Sequence, residues 1–321
     1  MKKITSVFLL LTVLLTSCYE DYIKDFDYDS IYFMYQTNVR TFVVGEGMKI
    51  EVGAALGGVR ENRQDRIVNF VMDAKLITAE ILAAMKAGAG YIKDAVAPVT
   101  TLKAMPVNYF SISDNTKMVI KAGQHSGSVI IKADSAAFLQ DSATINPVYA
   151  IPFYINSADA DSVPGAKRYT VVALKYENML FGNYWHGGVT TVKDSTGKVV
   201  RTVNYYTTIP SPEIKIMNLK TVAPNALVTN KISDQAGSMK LTLAGGKITV
   251  SRAAGSKVDI QPDGESTFNE SRLLQERKII LRYKFASDDG TTSYALDTLT
   301  FRNRIRDGVN EWQDENPGHY K

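Results

Sequence analysis

Apolar positions recur along this chain in short runs separated by turn residues, which is the habit of strands rather than of long helices. Ser30–Gln36 is a short β-prone run. Arg40–Val44 and Met48–Val52 flank Gly45-Glu46-Gly47, an arrangement that predicts a hairpin. Ile67–Met72 is apolar at nearly every position, as a strand buried on both faces would be. Lys117–Ile120 and Ser128–Ile131 flank the polar segment 123–127, and Val148–Ile155 and Tyr169–Tyr176 complete the first half. One segment differs. Leu76–Lys86 is rich in Ala, Leu, Ile and Met, with Thr78 placed as an N-cap and Gly88 and Gly90 as stops, so it predicts a single inserted helix. Short strands at this spacing, with no disulfide, predict an immunoglobulin-like β-sandwich over residues 30–177.

Beyond Asn178 a second run of strands begins at Gly182-Asn183-Tyr184-Trp185. Met239–Leu243 alternates, Ala244–Gly246 turns, and Ile248 and Val250 alternate back. Ile279, Leu281, Tyr283 and Phe285 alternate with charged residues, and Asp288-Asp289-Gly290 then turns into Ser293–Phe301. Residues 178–321 therefore predict an antiparallel β-barrel-like, lipocalin-like domain. The whole chain is expected to be mainly β.

The first residues read differently. Lys2 and Lys3 precede an apolar run, Val7–Leu15, that is too short to span a bilayer. It ends in Leu15-Thr16-Ser17-Cys18, which matches a bacterial lipobox. Residues 1–17 are thus expected to be a lipoprotein signal peptide. Cys18, the only cysteine, is the expected lipidation site, with 18–29 as a lipidated tether. Glu20 and Asp21 behind it have the look of an export signal to the cell surface. The expected location is the outer membrane, held by lipid and facing the exterior. No cysteine then remains for a disulfide, so the fold must stand on its own core.

Charge narrows the partners. The chain carries 37 Lys+Arg against 33 Asp+Glu, and removing Lys2 and Lys3 brings it nearer neutrality. A near-neutral chain argues against nucleic acid, whose phosphates need a basic face. Tyrosine is abundant (17) and tryptophan scarce (2), a mixture that suits strands and half-wet binding surfaces.

Three stretches carry a family resemblance. The lipobox start, Asp27–Phe33 and Met105–Phe110 resemble the N-terminal family called domain of unknown function 1735. Thr298–Trp312 resembles the partner family called domain of unknown function 4361. Such two-domain lipoproteins occur in Bacteroidota, in gene clusters for glycan capture that also encode outer-membrane transporter pairs. The resemblance implies a glycan-binding or accessory role on the surface, with a transporter pair as a further partner. It supplies no site residues.

Candidate chemistry is sparse. Asp25, Asp27 and Asp29 alternate, but Ser30 and Gln36 break the calcium-loop pattern they suggest. They also resemble the catalytic acidic strand of glycoside hydrolase family 18, incompletely, and a solvated leash is the better reading. His125, His186 and His319 have no metal-ligand spacing, so neither a metal nor a cofactor is expected. No Gly-x-Ser-x-Gly elbow supports a hydrolase, and Gly187-Gly188 and Gly245-Gly246 read as turns. Aromatic rings remain, because sugar rings pack their C–H faces on them. Tyr184-Trp185-His186 and Asn204-Tyr205-Tyr206 are the candidate ligand-binding residues, with Trp185 or Tyr205 as the exposed platform, although Tyr184 and Trp185 also read as aromatics that plug the barrel at the start of the domain. Since neighbours on a strand face opposite ways, one of Tyr205 and Tyr206 should be core. Arg302, Arg304, Arg306, Asp307 and Glu311 read as an ion-pair network at the C-terminus. The expected function is a non-catalytic glycan-binding component of a polysaccharide-utilisation system. The alternative is a structural or assembly subunit docked on an outer-membrane transporter complex, with helix 76–86 as the docking element.

Overall fold

The computed structural model describes residues 28–88, 90–206, 215–287 and 289–314. Cys18, Glu20, Asp21, Asp25, Asp27 and His319 lie outside the described residues. Among the described residues no helix is long and apolar enough to cross a membrane. The chain is mainly β, as its patterning predicts.

The first half contains β1 (Ser30–Tyr32), β2 (Thr37–Val44), β3 (Lys49–Gly57), β4 (Arg66–Val71), β5 (Lys103–Ala104), β6 (Phe110–Ile112), β7 (Lys117–Ile120), β8 (Ser126–Ala133), β9 (Tyr149–Ala158) and β10 (Tyr169–Asn178). One sheet runs β1-β3-β8-β6 and the other β2-β10-β9-β4-β7, with β5 added to β9. The two enclose a single apolar core in which Phe33, Phe42, Phe70, Phe138 and Phe153 are fully or nearly buried. Strand β8 shows why the sheet forms. Its residues alternate strictly between exposed and buried, so Val129, Ile131 and Ala133 all enter that core.

The hairpin expected around Gly45–Gly47 is not one. β2 pairs with β10, and β3 pairs with β1 and β8, so the turn carries the chain from one sheet to the other. Both strands feed the same core from opposite sides, Phe42 from β2 and Ile50 and Val52 from β3. A hairpin would have put them side by side in one layer. β4 is also not buried on both faces. Val68 and Phe70 point inward, while Ile67 and Val71 are 38% and 41% exposed.

The inserted helical segment is two helices rather than one. α1 (Ala79–Ala87) begins at Thr78, whose hydroxyl accepts from the Ile81 amide at 3.4 Å, and closes at Gly88. Gly90, expected as a stop, instead opens α2 (Gly90–Val96). Leu82 and Met85 of α1 and Ile92 and Val96 of α2 pack on Val39, Val171 and Ala173, the outer face of the larger sheet. The apolar side of α1 is therefore spent within the fold, and its exposed side carries Glu80 and Lys86. β10, covered on both faces, buries Val171, Val172, Ala173 and Leu174 in succession. A third helix, α3 (Ser135–Gln140), carries Phe138 into the sandwich core.

The second half contains β11 (Gly182–Lys193), β12 (Val199–Tyr205), β13 (Lys215–Ala223), β14 (Ala226–Thr229), β15 (Lys231–Ile232), β16 (Gln235–Ala236), β17 (Met239–Ala244), β18 (Lys247–Arg252), β19 (Ile260–Pro262), β20 (Ser266–Phe268), β21 (Lys278–Ala286), β22 (Thr292–Arg306) and β23 (Val309–Glu311). The sheet runs β11-β13-β14-β17-β18-β20-β21-β22, and β22 then pairs back to β11, closing an antiparallel barrel. Closure removes the open edges. β12 continues the β11 edge where β13 leaves it, and β23 hangs on the end of β22. Tyr184, Met217, Leu241, Ile279, Leu281 and Leu299 fill one part of the interior.

An ion-pair seam joins the halves. Glu46, at the tip of the crossing turn, accepts from Arg277 at 2.7 Å and from Arg304 at 2.7 and 2.9 Å. Arg304 also reaches Glu311, as does Arg306. Asp307 accepts from the Thr41 hydroxyl at 2.7 Å and sits 3.2 Å from Arg40. Both Arg277 and Arg304 are almost fully buried. The C-terminal basic cluster thus reaches across to the first half as well as pairing with its own neighbours.

Candidate functional site

β11 separates two environments. Its alternation turns Tyr184, His186, Gly188 and Thr190 into the barrel and Asn183, Trp185 and Val189 to the outside.

Inside, the expected sugar contacts are buried. Tyr184 is fully enclosed, its hydroxyl donating to the Leu180 carbonyl at 3.1 Å and its ring edge-on to Phe301. His186 is also fully buried and Tyr205 is 3% exposed. None of the three is an exposed platform, because all lie on the inward parity of closed-barrel strands. Tyr206 has the opposite parity and is 52% exposed. Gly187 and Gly188 are not a turn; they lie within β11. Gly188 faces Tyr205 on one neighbour and Asp297 on the other. A Cβ there would meet the Leu296 carbonyl oxygen at 2.1 Å, and its φ of +150° suits glycine. With no side chain between them, the Tyr205 hydroxyl reaches Asp297 directly and donates to Oδ1.

Asp297 is the hub. It is fully buried, and the Tyr283 hydroxyl donates to its Oδ2 at 2.7 Å. His186 Nε2 lies 3.3 Å from the same oxygen, yet neither ring nitrogen has a hydrogen-bond partner. Thr190 links the Tyr205 hydroxyl, 3.3 Å away, to Ser233, whose backbone amide donates to the Tyr283 hydroxyl at 2.5 Å. Burial, and then the charge of Asp297, raise both phenols well above their ordinary value of 10.0. Both hydroxyls therefore stand as donors to the carboxylate.

Outside, four asparagines from four neighbouring strands form a row. Asn218 on β13 donates to Asn183 on β11 at 3.1 Å, and Asn183 donates to Asn303 on β22 at 3.3 Å. Asn303 donates in turn to Asn310 on β23 at 2.6 Å. A β-bulge builds this row. Tyr184 faces Phe301 while Asn183 faces Asn303, so Arg302 is the extra residue. The bulge lets Arg302 and Asn303 both lie outside and turns Arg304 inward to the seam. Arg302 stacks over Trp185 at 4.9 Å and donates to Asn303 at 3.3 Å. Trp312 directly follows Glu311, the partner of Arg304, and is 58% exposed. Both tryptophans of the protein thus lie on strands that bear the row or at their ends.

Each amide has two donor hydrogens and two acceptor lone pairs. Within the row, Asn218, Asn183 and Asn303 each spend one donor hydrogen on the next asparagine. Each of these amides keeps a second donor hydrogen, and the row steps across strands spaced roughly 4.7–4.9 Å apart. Flat polar groups beside the partly exposed Trp185 ring suit a polyhydroxylated ligand. Sequence reasoning found Trp185 but not the asparagines, which are scattered in the chain and brought together by sheet order and a bulge. It also missed Asp297, although a signal was present: Ser293, Ala295, Leu299 and Phe301 share its inward parity, so the alternation places a carboxylate inside.

A family model describing an N-terminal domain matches residues 26–162. No curated protein matches the chain. Among solved structures, a structural-genomics protein of unknown function from Bacteroides ovatus is 21% identical, with a TM-score of 0.62 over 90% of this chain and 99% of that one. A multidomain protein from Bacteroides ovatus that includes domain of unknown function 1735 is 12% identical, with a TM-score of 0.43 over 89% of this chain and 100% of that one. A provisionally assigned carbohydrate-binding protein from Bacteroides ovatus ATCC 8483 is 11% identical, with a TM-score of 0.27 over 69% of this chain and 66% of that one. The first likeness shows a shared fold over nearly the full length; the other two are too distant to show even that.

Proposed function

We propose that the protein is a non-catalytic glycan-binding lipoprotein of the outer-membrane surface, an accessory of a polysaccharide-utilisation system. The observation that carries this reading is the outer barrel face, where Trp185 and Arg302 stack beside the asparagine row. In this reading the ring holds a sugar face and the spare amide groups bond hydroxyls. Because the strands are fixed by barrel closure, little order is lost on binding. The lipobox ending at Cys18 and the acidic pair Glu20 and Asp21 support anchoring and export. The N-terminal family resemblance agrees with this setting, and an outer-membrane transporter pair is the natural neighbour.

A glycan array on the purified protein, followed by titration of Trp185→Ala, tests the binding. Loss of that ring should weaken a glycan hit by about ten- to a hundredfold, with an unchanged melting temperature. Binding unaffected by Trp185→Ala and Asn183→Ala places any glycan elsewhere. Metabolic labelling with a fatty-acid probe tests the anchor: Cys18→Ala should abolish the label, and a labelled variant refutes lipidation at Cys18. Ala at Glu20 and Asp21 should lower protease shaving of intact cells while leaving the protein in the membrane fraction.

A further inference from the structure

We propose that the outer barrel face takes an anionic polysaccharide, a chain of sugars bearing carboxylate or sulfate groups, laid along β11, β22 and β21 between Trp185 and Tyr294. This rests on the glycan-binding reading above and names the class of glycan.

Strand register sets out the face. Trp185 pairs with Thr300, and Thr300 with Lys278. Thr191 pairs with Tyr294, and Tyr294 with Lys284. Residues directly opposite on neighbouring strands share a face, so two rows cross the same three strands on the outside of the barrel. The rows lie six residues apart along β11, a span of roughly 20 Å at the strand rise. Each row holds one aromatic ring, and each ring carries a cation. Arg302 lies over Trp185 at 4.9 Å and Lys193 over Tyr294 at 4.5 Å. Each row also ends on a second cation, Lys278 in one and Lys284 in the other. A ring with two cations is thus built twice on one surface.

The charge of this face has one sign. At their outward positions β11, β21 and β22 carry Lys193, Lys278, Arg282, Lys284 and Arg302, and among the described residues none of those positions is Asp or Glu. None of the five has an ion pair with a carboxylate among the described residues, whereas the exposed Lys121 and Lys247 do. The chain as a whole is nearly balanced, with 37 Lys+Arg against 33 Asp+Glu, so the excess is local. Acids at the border are engaged elsewhere. Asp194, next to Lys193, is tied into its own turn by Thr196 and Lys198. At the Tyr294 end the face deepens into a cavity of about 230 Å³ whose lining includes Tyr294, Lys284, Gln261 and Asp259. Asp259, the one acid in that lining, accepts from Gln261 Nε2 at 3.2 Å.

An acidic sugar matches both parts of each row. Its C–H face packs on the ring, and its anion pairs with the flanking cation. Arg302 and Lys193 are held at their rings by attraction to the π face, which leaves their charge unneutralised. A neutral glycan would use the rings and the asparagines and leave the cations idle. A face of one sign also concentrates a polyanion near it and speeds encounter.

The test titrates the purified protein with polygalacturonate, dextran sulfate and neutral dextran at low and high salt, and with a single-stranded DNA oligomer as a polyanion of another class. At least one acidic polymer is expected to bind about tenfold or more tighter than dextran, and salt should weaken that binding. Preference for polygalacturonate names carboxylate as the recognised group, and preference for dextran sulfate names sulfate. The double variant Lys193→Gln, Lys284→Gln should lose about tenfold in affinity for the acidic polymer. Lys121→Gln, in the first half and already paired with Asp65, should change nothing. Dextran bound as tightly as both acidic polymers overturns this inference and leaves the glycan-binding reading standing. No binding of either acidic polymer also overturns it, and the glycan array then decides the broader reading by itself. Unchanged affinity in the double variant, or DNA bound as tightly as the acidic polymers, overturns it as well. Should melting curves show that the double variant does not fold, the wild type decides: affinity that falls with salt supports the proposal, and affinity indifferent to salt refutes it.

Discussion

The two halves of the protein solve burial differently. The sandwich core is built of apolar side chains, with five phenylalanines at its centre. The barrel encloses His186, Asp297, Thr190 and Ser233 beside its apolar residues, while Arg277 and Arg304 are buried at the seam. An apolar core tolerates change in proportion to the volume removed. A polar interior depends on particular atoms, because each lost partner strands another. The same closed strands that bury Tyr205 and His186 carry a partly exposed row of amides on their outer face. One core is apolar throughout its centre, and the other combines apolar packing with a buried polar network.

Cutting the sandwich should give the largest effect. Phe153→Ala removes a fully buried ring and is expected to cost about 3–5 kcal/mol in a denaturant titration. A loss below about 1 kcal/mol would mean that this core is loosely packed and would break the contrast. The seam should respond on a similar scale. Glu46→Ala leaves Arg277 and Arg304 buried without their shared anion, at a cost of about 3–5 kcal/mol. Calorimetry should then resolve the halves as separate transitions; one shifted transition would show that other contacts couple them.

Acid should act through the same residue. Burial by itself would raise the Glu46 carboxyl, but the hydrogen bonds and charges of Arg304 and Arg277 outweigh it and hold its pKa below the usual 4.5. A carboxylate depressed in this way contributes stability that is full above its unfolded pKa and is lost as pH falls through the folded one. Stability should therefore decline below about pH 4.5, and Glu46→Gln should flatten that part of the curve. An equally steep decline in the variant would assign the acid response to other groups.

A smaller effect is expected inside the barrel. Tyr283→Phe keeps the ring but removes one donor to Asp297 and the acceptor for the Ser233 amide. It should cost about 1–3 kcal/mol, several times what its lost volume predicts. Smallest of all should be Trp185→Ala, within about 0.5 kcal/mol in stability, as for a surface position. A collapse in that variant would make the ring part of the barrel wall and weaken its role as a platform.

Much of this was legible where one strand carries its own pattern. Met239–Ala244 and Lys247–Arg252 pair as their alternation implies, and Lys278–Ala286 is half-exposed as read. Alternation also allowed one of Tyr205 and Tyr206 to be assigned to the core, without saying which. Features set by partners far along the chain were not legible. Gly45–Gly47 looks the same whether it closes a hairpin or links two sheets. The bulge at Arg302 leaves no local mark, yet it decides that Asn303 faces water and Arg304 the seam. Asp297 could have been found from parity alone, but Tyr205, Tyr283 and His186, which surround it, lie on three other strands.

The pairing of β11 with β22 has a consequence in time. These are the first and last strands of the barrel path, so the contact of Gly188 with Asp297 closes a loop that contains every intervening strand. Contacts between distant parts of a chain form late and slowly, since the entropy of closing the loop is lost before the pairing compensates for it. The contact between Tyr205 and Asp297 is therefore expected among the last features to assemble, after the local β21–β22 hairpin that brings Tyr283 to Asp297. Until β22 closes on β11, the Tyr205 hydroxyl has no Asp297 to bond and the barrel has two open edges, which is the interval when another chain could pair with it.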